Sequence, residues 1–198
     1  MAEHATPSDS IAALVLAAGQ SRRFGSDKRL AELPGRGTLL VATLATLRPH
    51  FRDIHVVIGG DDDAVRLGIP DDIVTLVNPD ARRGMGASLA FGMCALLRES
   101  RARAVAVMLG DMPWVRDATF AALALRAGEA LIVRPTFQGE GGHPVVFGRQ
   151  FWPVLCQLDG DGGARHILLD NPAACVEIAT ADPGVIKDVD EPGALDPG

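Results

Sequence analysis

Short apolar runs punctuate the chain at 11–17, 54–58, 73–77, 104–109 and 131–133, each β-branched or leucine-rich and without polar alternation. Runs of that kind read as parallel strands buried on both faces. Between them, 39–47, 87–97 and 118–127 carry apolar residues at helical spacing. The alternation predicts an α/β fold: a Rossmann-like three-layer α/β/α sandwich with a mostly parallel sheet, whose right-handed crossovers leave ligands beyond the carboxyl ends of the strands. Past Pro135 the rhythm changes. A glycine-bearing turn at 136–142, a short strand at 144–147 and a helix at 150–157 read as an inserted hairpin or lid. A glycine-rich loop at 158–165, a short helix at 165–169 and strands at 175–178 and 185–189 are expected to close the chain.

The 198 residues fit one domain spanning 1–198, with 1–10 and 194–198 expected to be flexible tails. Nineteen Lys and Arg against 25 Asp and Glu give a formal charge of −6, which supplies no field to attract nucleic acid or an anionic membrane. Neither is expected as a partner. At 47% hydrophobic and 22% charged, the chain is too apolar to stay disordered. The apolar run at 11–18 falls far short of the roughly 20 residues that span a bilayer, and Glu3 and Asp9 stand where a secretory leader would be basic. The expected compartment is the cytoplasm. Cys94, Cys156 and Cys175 are odd in number, widely spaced and without a Cys-x-x-Cys pair, so they read as small buried hydrophobes rather than as zinc or disulfide ligands.

Candidate chemistry concentrates in the loops after the predicted strands. The segment Leu16-Ala-Ala-Gly-Gln-Ser-Arg-Arg-Phe-Gly-Ser-Asp-Lys28 passes from strand into small and basic residues. Backbone amides around Ala17, Ala18 and Gly19 can approach a phosphate, Ser21 adds a hydroxyl, and Arg22, Arg23, Lys28 and Arg29 place positive charge in an otherwise acidic protein. A solvated loop with its arginines in water is the other reading. Two phosphate motifs fail on spacing. Gly19 and Gly25 enclose five residues and Ser26 stands where a Walker A loop needs lysine, and there is no Gly-x-Gly-x-x-Gly for a dinucleotide-linked oxidoreductase.

Asp111, in Gly110-Asp-Met-Pro113, falls at the end of the strand at 104–109. A carboxylate there can hold Mg²⁺ with phosphate oxygens and water, or can be a turn aspartate bonding its own backbone. Asn78-Pro-Asp-Ala-Arg-Arg-Gly-Met-Gly-Ala-Ser88 leaves another strand. Asn78, Gly84 and Ser88 can contact a ribose or base, or simply cap the helix that follows. His143, in Gly141-Gly-His-Pro144, and Arg165, ending Gly160-Asp-Gly-Gly-Ala-Arg165, can receive a second, anionic substrate. Asp188 and Asp190 would share one face of the closing strand, where either can complete a metal site or form a solvated acidic turn.

These segments together resemble the MobA-like nucleoside triphosphate transferase family and, within it, the molybdenum cofactor cytidylyltransferases. The pattern Leu-Ala-Ala-Gly-x-Ser-x-Arg-Met/Phe-Gly-x-x-Lys is matched from Leu16 to Lys28, and Gly-Asp-Met-Pro, Gly-His-Pro-Val-x-Phe and Gly-Asp-x-Gly-Ala-Arg follow in order. The resemblance implies a nucleotide-diphospho-sugar transferase-like fold and a Mg²⁺-dependent transfer of CMP from CTP to the terminal phosphate of a molybdopterin-type cofactor, with release of pyrophosphate. It also implies site roles. Lys28, Arg23 and Asp111 are catalytic. Leu16, Ala17, Ala18, Gly19, Ser21, Asn78, Gly84, Ser88 and Gly110 hold the nucleotide, and His143 and Arg165 the acceptor. Asp111 and Asp190 bind the metal, and a molybdoenzyme is a candidate client. Relatives that use GTP tend to carry Leu-Ala-Gly-Gly, so Ala18 favours CTP. The chain departs from the family at Gly35-Arg-Gly-Thr38, where Gly-Lys-Pro or Gly-Arg-Pro is usual, and at Asp188-Val-Asp-Glu-Pro192, where Asp-x-Asp-Thr-Pro is usual. A transferase for another phosphorylated acceptor, one that uses GTP, and a non-catalytic cofactor-delivery protein are the alternatives.

Overall fold

The computed structural model describes residues 10–19 and 27–189. Apart from Ser10, the tails expected at 1–10 and 194–198 lie outside the described residues. The five apolar runs form β1 (Ile11–Leu16), β4 (Ile54–Gly59), β5 (Val74–Asn78), β6 (Ala104–Leu109) and β7 (Ile132–Phe137), of which β5 is an edge strand with Val74 and Val77 exposed. They share one eight-stranded sheet with β8 (Glu140–Gly141), β9 (Val145–Gly148) and β10 (Cys175–Ala179), in the order β10-β7-β9-β6-β1-β4-β5 with β8 on β7. β1 pairs in parallel with both β4 and β6, β4 with β5, and β7 with β10. A small ribbon of β2 (Glu32–Leu33) and β3 (Gly37–Thr38) precedes α1 (Leu39–Leu47).

Successive strand residues point to opposite faces, so each apolar run feeds two cores. On one face, Ala13, Val15, Val56, Ala106 and Met108 meet Leu40 and Leu44 of α1 and Phe120 and Leu123 of α3 (Asp117–Arg126). On the other, Ala12, Leu14, Val57 and Val105 meet Leu89, Met93 and Leu96 of α2 (Met85–Glu99). That second layer is completed by Trp152 and Leu155 of α4 (Trp152–Leu155) and Ile167 of α5 (Arg165–Asp170). Fully burying each Leu, Ile, Val or Phe contributes about 1.5–3 kcal/mol, and these two layers hold the sheet between helices. The three-layer, mostly parallel sandwich expected from the sequence is the fold observed.

Three expectations are corrected. The strand at 144–147 forms the hairpin and not the lid, β7 turning back antiparallel onto β8 and β9. As β9 it enters the middle of the sheet, antiparallel to both β6 and β7, because its buried Val146 and Phe147 need a ladder on each side. The helix at 150–157 is instead a 3₁₀ turn, Arg149–Phe151, followed by the four-residue α4, with Pro153 in its first turn, where the missing N–H costs nothing. The strand at 185–189 does not form. Pro183–Val185 is a 3₁₀ turn capped by Asp182, whose Oδ1 accepts from the Gly184 N–H at 2.9 Å, and the remaining residues run as irregular chain. The three cysteines are free. Among the described residues, no helix is long and apolar enough to cross a membrane.

Asp182 is 3% exposed and also accepts from Thr119 Oγ1 at 2.7 Å and from the Arg116 N–H at 2.8 Å, joining the chain's end to the start of α3. Replacing Thr119 by valine keeps the volume and removes one donor from a buried carboxylate. Urea unfolding of Thr119→Val is expected to show a loss of about 1–3 kcal/mol.

Candidate active site

The carboxyl ends of β1, β4 and β6 lie side by side, and the loops leaving them are drawn together by their own backbones. The Gly110 N–H donates to the Leu16 carbonyl at 2.9 Å, and the Ala17 N–H donates to Val57 at 2.9 Å. Gly110 fits that approach closely, since a Cβ would stand 3.0 Å from that of Ala17 and push the two loops slightly apart. This close approach brings together two charged residues that are far apart in sequence. Lys28 Nζ lies 2.5 Å from Asp111 Oδ2, with both side chains mostly shielded.

Asp111 is 9% exposed, and its other oxygen, Oδ1, is buried with no hydrogen-bond partner. Burial pushes its carboxyl above the usual range, Lys28 pulls it back, and Asp188 pushes it up further. Asp188 therefore sits close enough to act on Asp111, and the Val189 N–H donates to the Asp111 carbonyl at 3.2 Å. His143 completes the cluster. Its Nδ1 is 3.4 Å from the Val107 carbonyl, its N–H donates to the Val185 carbonyl at 2.7 Å, and Asp111 and Asp188 both act on its ring. Burial holds the imidazole below its ordinary range against their pull.

These residues fit a hard divalent cation. Asp111 offers an unpaired buried oxygen, Asp188 is a second carboxylate nearby, and carboxylates with phosphate oxygens and water are the donor set that Mg²⁺ or Mn²⁺ takes. Among the described residues, His, Cys, Asp and Glu form no group of three that could hold a metal by themselves. Asp190, expected as the second ligand, lies outside the described residues, as do Ser21, Arg22 and Arg23.

The remaining predicted residues divide. Leu16 ends β1, and Ala17, Ala18, Gly19 and Gly110 lie in the two loops beside the Lys28–Asp111 pair. Asn78 and Ser88 face inward. The Asn78 amide donates to Ser88 Oγ at 3.3 Å, its Oδ1 accepts from the Asp80 N–H at 3.0 Å, and both residues are at least 96% buried; Asn78 thus builds a turn, while the N-cap of α2 is Gly84, with no side-chain cap. Gly84, at φ +117°, lies against the glycine-rich loop: a Cβ there would fall 2.5 Å from the Gly160 carbonyl. The Gly86 N–H donates to that carbonyl at 2.7 Å, and Arg83 pairs with Asp159 at 2.6 Å. Two motifs about 75 residues apart thus form one wall, with Arg165 exposed beyond it at the start of α5. Arg36 lies over Trp114, 5.1 Å from the ring centroid.

Arg29 is corrected. The sequence groups it with the phosphate-facing charges, but its guanidinium is enclosed by Asp27, Asp62 and the Ala17 carbonyl. Its partners Asp27 and Asp62 carried no sequence signal, because a loop aspartate's cation is not visible along the chain. Arg29 hydrogen bonding holds the Asp27 carboxyl below its usual range. For Asp62, burial opposes ionisation, but Arg29 and the Gly59 N–H outweigh it and hold the carboxyl low. With folded values below the unfolded value of about 3.9, this stabilisation is present above that pH and is lost as pH falls through the folded values. Asp62→Asn is expected to be less stable than wild type at neutral pH. The gap should close in acid, as read by urea unfolding across the range.

The class of the protein follows from comparison with known proteins. Residues 13–175 match the MobA-like NTP transferase domain, and the chain belongs to that family. It is 27% identical to the purine catabolism protein PucB of Bacillus subtilis, covering 91% of this chain and 92% of that one. It is 33% identical to a probable molybdenum cofactor guanylyltransferase of Geobacillus, over 61% of this chain and 60% of that protein. Among solved structures, Rv0371c of Mycobacterium tuberculosis superimposes with a TM-score of 0.80 at 33% identity, covering 93% and 94% of the two chains. A structure of Rv0371c in complex with manganese superimposes at 0.75 with 31% identity, covering 91% and 92%.

Proposed function

We propose that this protein transfers CMP from CTP to the terminal phosphate of a molybdopterin-type cofactor and releases pyrophosphate. The observation that carries the reading is the Lys28–Asp111 pair at the carboxyl edge of the sheet, with Asp111 Oδ1 buried and unpartnered. Membership in an NTP transferase family supplies the reaction class. In the transfer, an oxygen of the acceptor phosphate bonds to the α-phosphorus of the nucleotide, and the bond from that phosphorus to the bridging oxygen breaks, so the electron pair leaves with pyrophosphate. An ionised phosphate oxygen already attacks well, so the protein's work is alignment and charge neutralisation.

Lys28 neutralises charge on the triphosphate, with Arg23 as its partner from the same motif, while the backbone at Ala18 and Gly19 cradles the phosphates, the Ala17 N–H being held by Val57. Asp111, with Asp190 or Asp188, would hold Mg²⁺, which when bound spreads the charge of the phosphate oxygens. Asn78, Gly84 and Ser88 shape the nucleoside side, and His143 and Arg165 meet the acceptor. CTP is preferred on Ala18. The guanylyltransferase name of the Geobacillus relative favours a second reading, GTP as donor.

Thermal-shift titration separates them. A ligand at 100 times its dissociation constant stabilises by about 2.7 kcal/mol. A Mg²⁺-dependent shift largest with CTP supports the cytidylyl reading, one largest with GTP replaces it by guanylyl transfer, and no shift with CTP, GTP or ATP contradicts both.

A further inference from the structure

We propose that Arg29 is a positioning residue for nucleotidyl transfer: it ties the loop that carries Lys28 to the ends of β1 and β4 and so holds Lys28 against Asp111. The inference rests on the transferase reading above and goes beyond it, since Arg29 touches no reacting group.

The geometry is saturated. A guanidinium has five N–H donors. Nε donates to Asp27 Oδ1 at 2.8 Å, and Nη2 to Asp27 Oδ2 at 2.8 Å and Asp62 Oδ1 at 2.7 Å. Nη1 donates to Asp62 Oδ2 at 2.6 Å and the Ala17 carbonyl at 2.8 Å. No donor is left for a phosphate, and two carboxylates around one guanidinium leave the cluster with a formal charge of −1, which repels one. Arg29 is thus excluded as an anion ligand and identified as a cross-tie.

What it ties is specific. Ala17 follows β1 and opens the segment read as the phosphate loop, while Asp27 closes it and caps the 3₁₀ turn Lys28–Leu30, its Oδ1 accepting from the Arg29 N–H at 3.2 Å. Asp62 follows β4, and its Oδ2 also accepts from the Gly59 N–H at 2.7 Å, which anchors it to the sheet. Lys28 is flanked in the chain by two members of this cluster, Asp27 and Arg29. The backbone on both sides of its Cα is fixed, and the flexible stem is left to reach Asp111. A lysine at 29 carries one ammonium and three donors, so it can hold one carboxylate but not the planar two-carboxylate clamp together with the carbonyl.

The test is a double-mutant cycle between Arg29→Lys and Lys28→Met, read by pyrophosphate release under single-turnover conditions. It is paired with the ¹⁵N NMR signal of the Lys28 ammonium, assigned by its loss in Lys28→Met. Arg29→Lys is expected to lower kcat/KM about 10²-fold, the usual cost of a misplacement near 1 Å. In the Lys28→Met background the same change is expected to cost less than about threefold, because the two act as one unit. The Lys28 ammonium signal should broaden or shift in Arg29→Lys. Asp62→Asn, which leaves Arg29 in place, should reproduce both effects in weaker form and serves if Arg29→Lys does not fold. Equal losses in the two backgrounds, or an unchanged Lys28 signal, would overturn the proposal. If the wild type releases no pyrophosphate with any NTP, the transferase reading falls, and the NMR signal still decides whether Arg29 positions Lys28.

Discussion

Asp111→Asn is expected to lose at least about 10³-fold in pyrophosphate release, roughly 4 kcal/mol of transition-state stabilisation, while its urea midpoint stays close to that of wild type. The two halves of that expectation come from the same atoms. Asp111 is buried, burial works against its ionisation, and one of its oxygens has no partner in the fold. Even with Lys28 beside it the carboxyl is held above its usual range, so at neutral pH its ionised form is a net cost to folding and a neutral isostere gives up little stability. Lys28 then loses Asp111, but its side chain keeps 19% exposure and so some contact with water. A purely structural turn aspartate behaves in the opposite way, with lost stability and retained turnover. Activity and unfolding measured on one preparation therefore separate the two readings of Asp111 that the sequence left open.

Gly184→Ala is expected to be the most damaging small substitution in the segment that closes the chain. A Cβ at Gly184 would stand 2.2 Å from the Trp114 carbonyl oxygen, 2.4 Å from its carbon and 2.8 Å from the Val115 nitrogen. All three are backbone atoms, so no side chain can swing aside. The segment has to move, and it carries Asp182, which accepts from the Arg116 N–H and the Thr119 hydroxyl, the Val185 carbonyl that receives His143, and the Val189 N–H on Asp111. Overpacking of this kind costs about 1–3 kcal/mol, and strained Asp182 hydrogen bonds add to it. Pyrophosphate release should fall as well, because Asp188 and His143 shift away from Asp111. Gly162→Ala is the control. A Cβ there meets nothing within 4 Å, and its stability should stay within about 0.5 kcal/mol of wild type. Equal behaviour of the two variants in urea would contradict the packing described here.

The hydrophobic pattern is a good guide to elements and a poor one to their partners. The helix expected at 39–47 is observed as Leu39–Leu47, and the strand at 104–109 as Ala104–Leu109, because both are apolar runs ended by turn residues. The strand at 131–133 runs on through Pro135 to Phe137. The ladder with β9 stops at Val133, and Pro135 sits opposite Ile178 of β10. The insertion of β9 between β6 and β7 is a matter of non-local pairing, which no local pattern encodes. The segment 185–189 has strand-like residues, but Asp182 and Pro183 build a turn just before it.

The candidate site follows the same division. Lys28 and Asp111 were legible because each lies in a loop after a predicted strand, where an open α/β sheet presents its chemistry. Their meeting at 2.5 Å depends on the Gly110 to Leu16 hydrogen bond, a contact between strands. Arg29 was read as one more positive charge in a basic loop. Its role is fixed by Asp62, 33 residues away, and a charge count cannot see that. Asn78 and Ser88 had two readings each, and the burial of both side chains against one another shows how they shape the loop after β5.

The most direct test of nucleotidyl transfer is to follow the α-phosphate. CTP and GTP, each labelled at the α-phosphorus, are incubated with the protein, Mg²⁺ and molybdopterin, and the label and pyrophosphate are quantified together. Transfer of the label from CTP to the pterin phosphate, with one pyrophosphate released per label transferred, is the expected result. Label that stays in both nucleotides, with no pyrophosphate released, would contradict it.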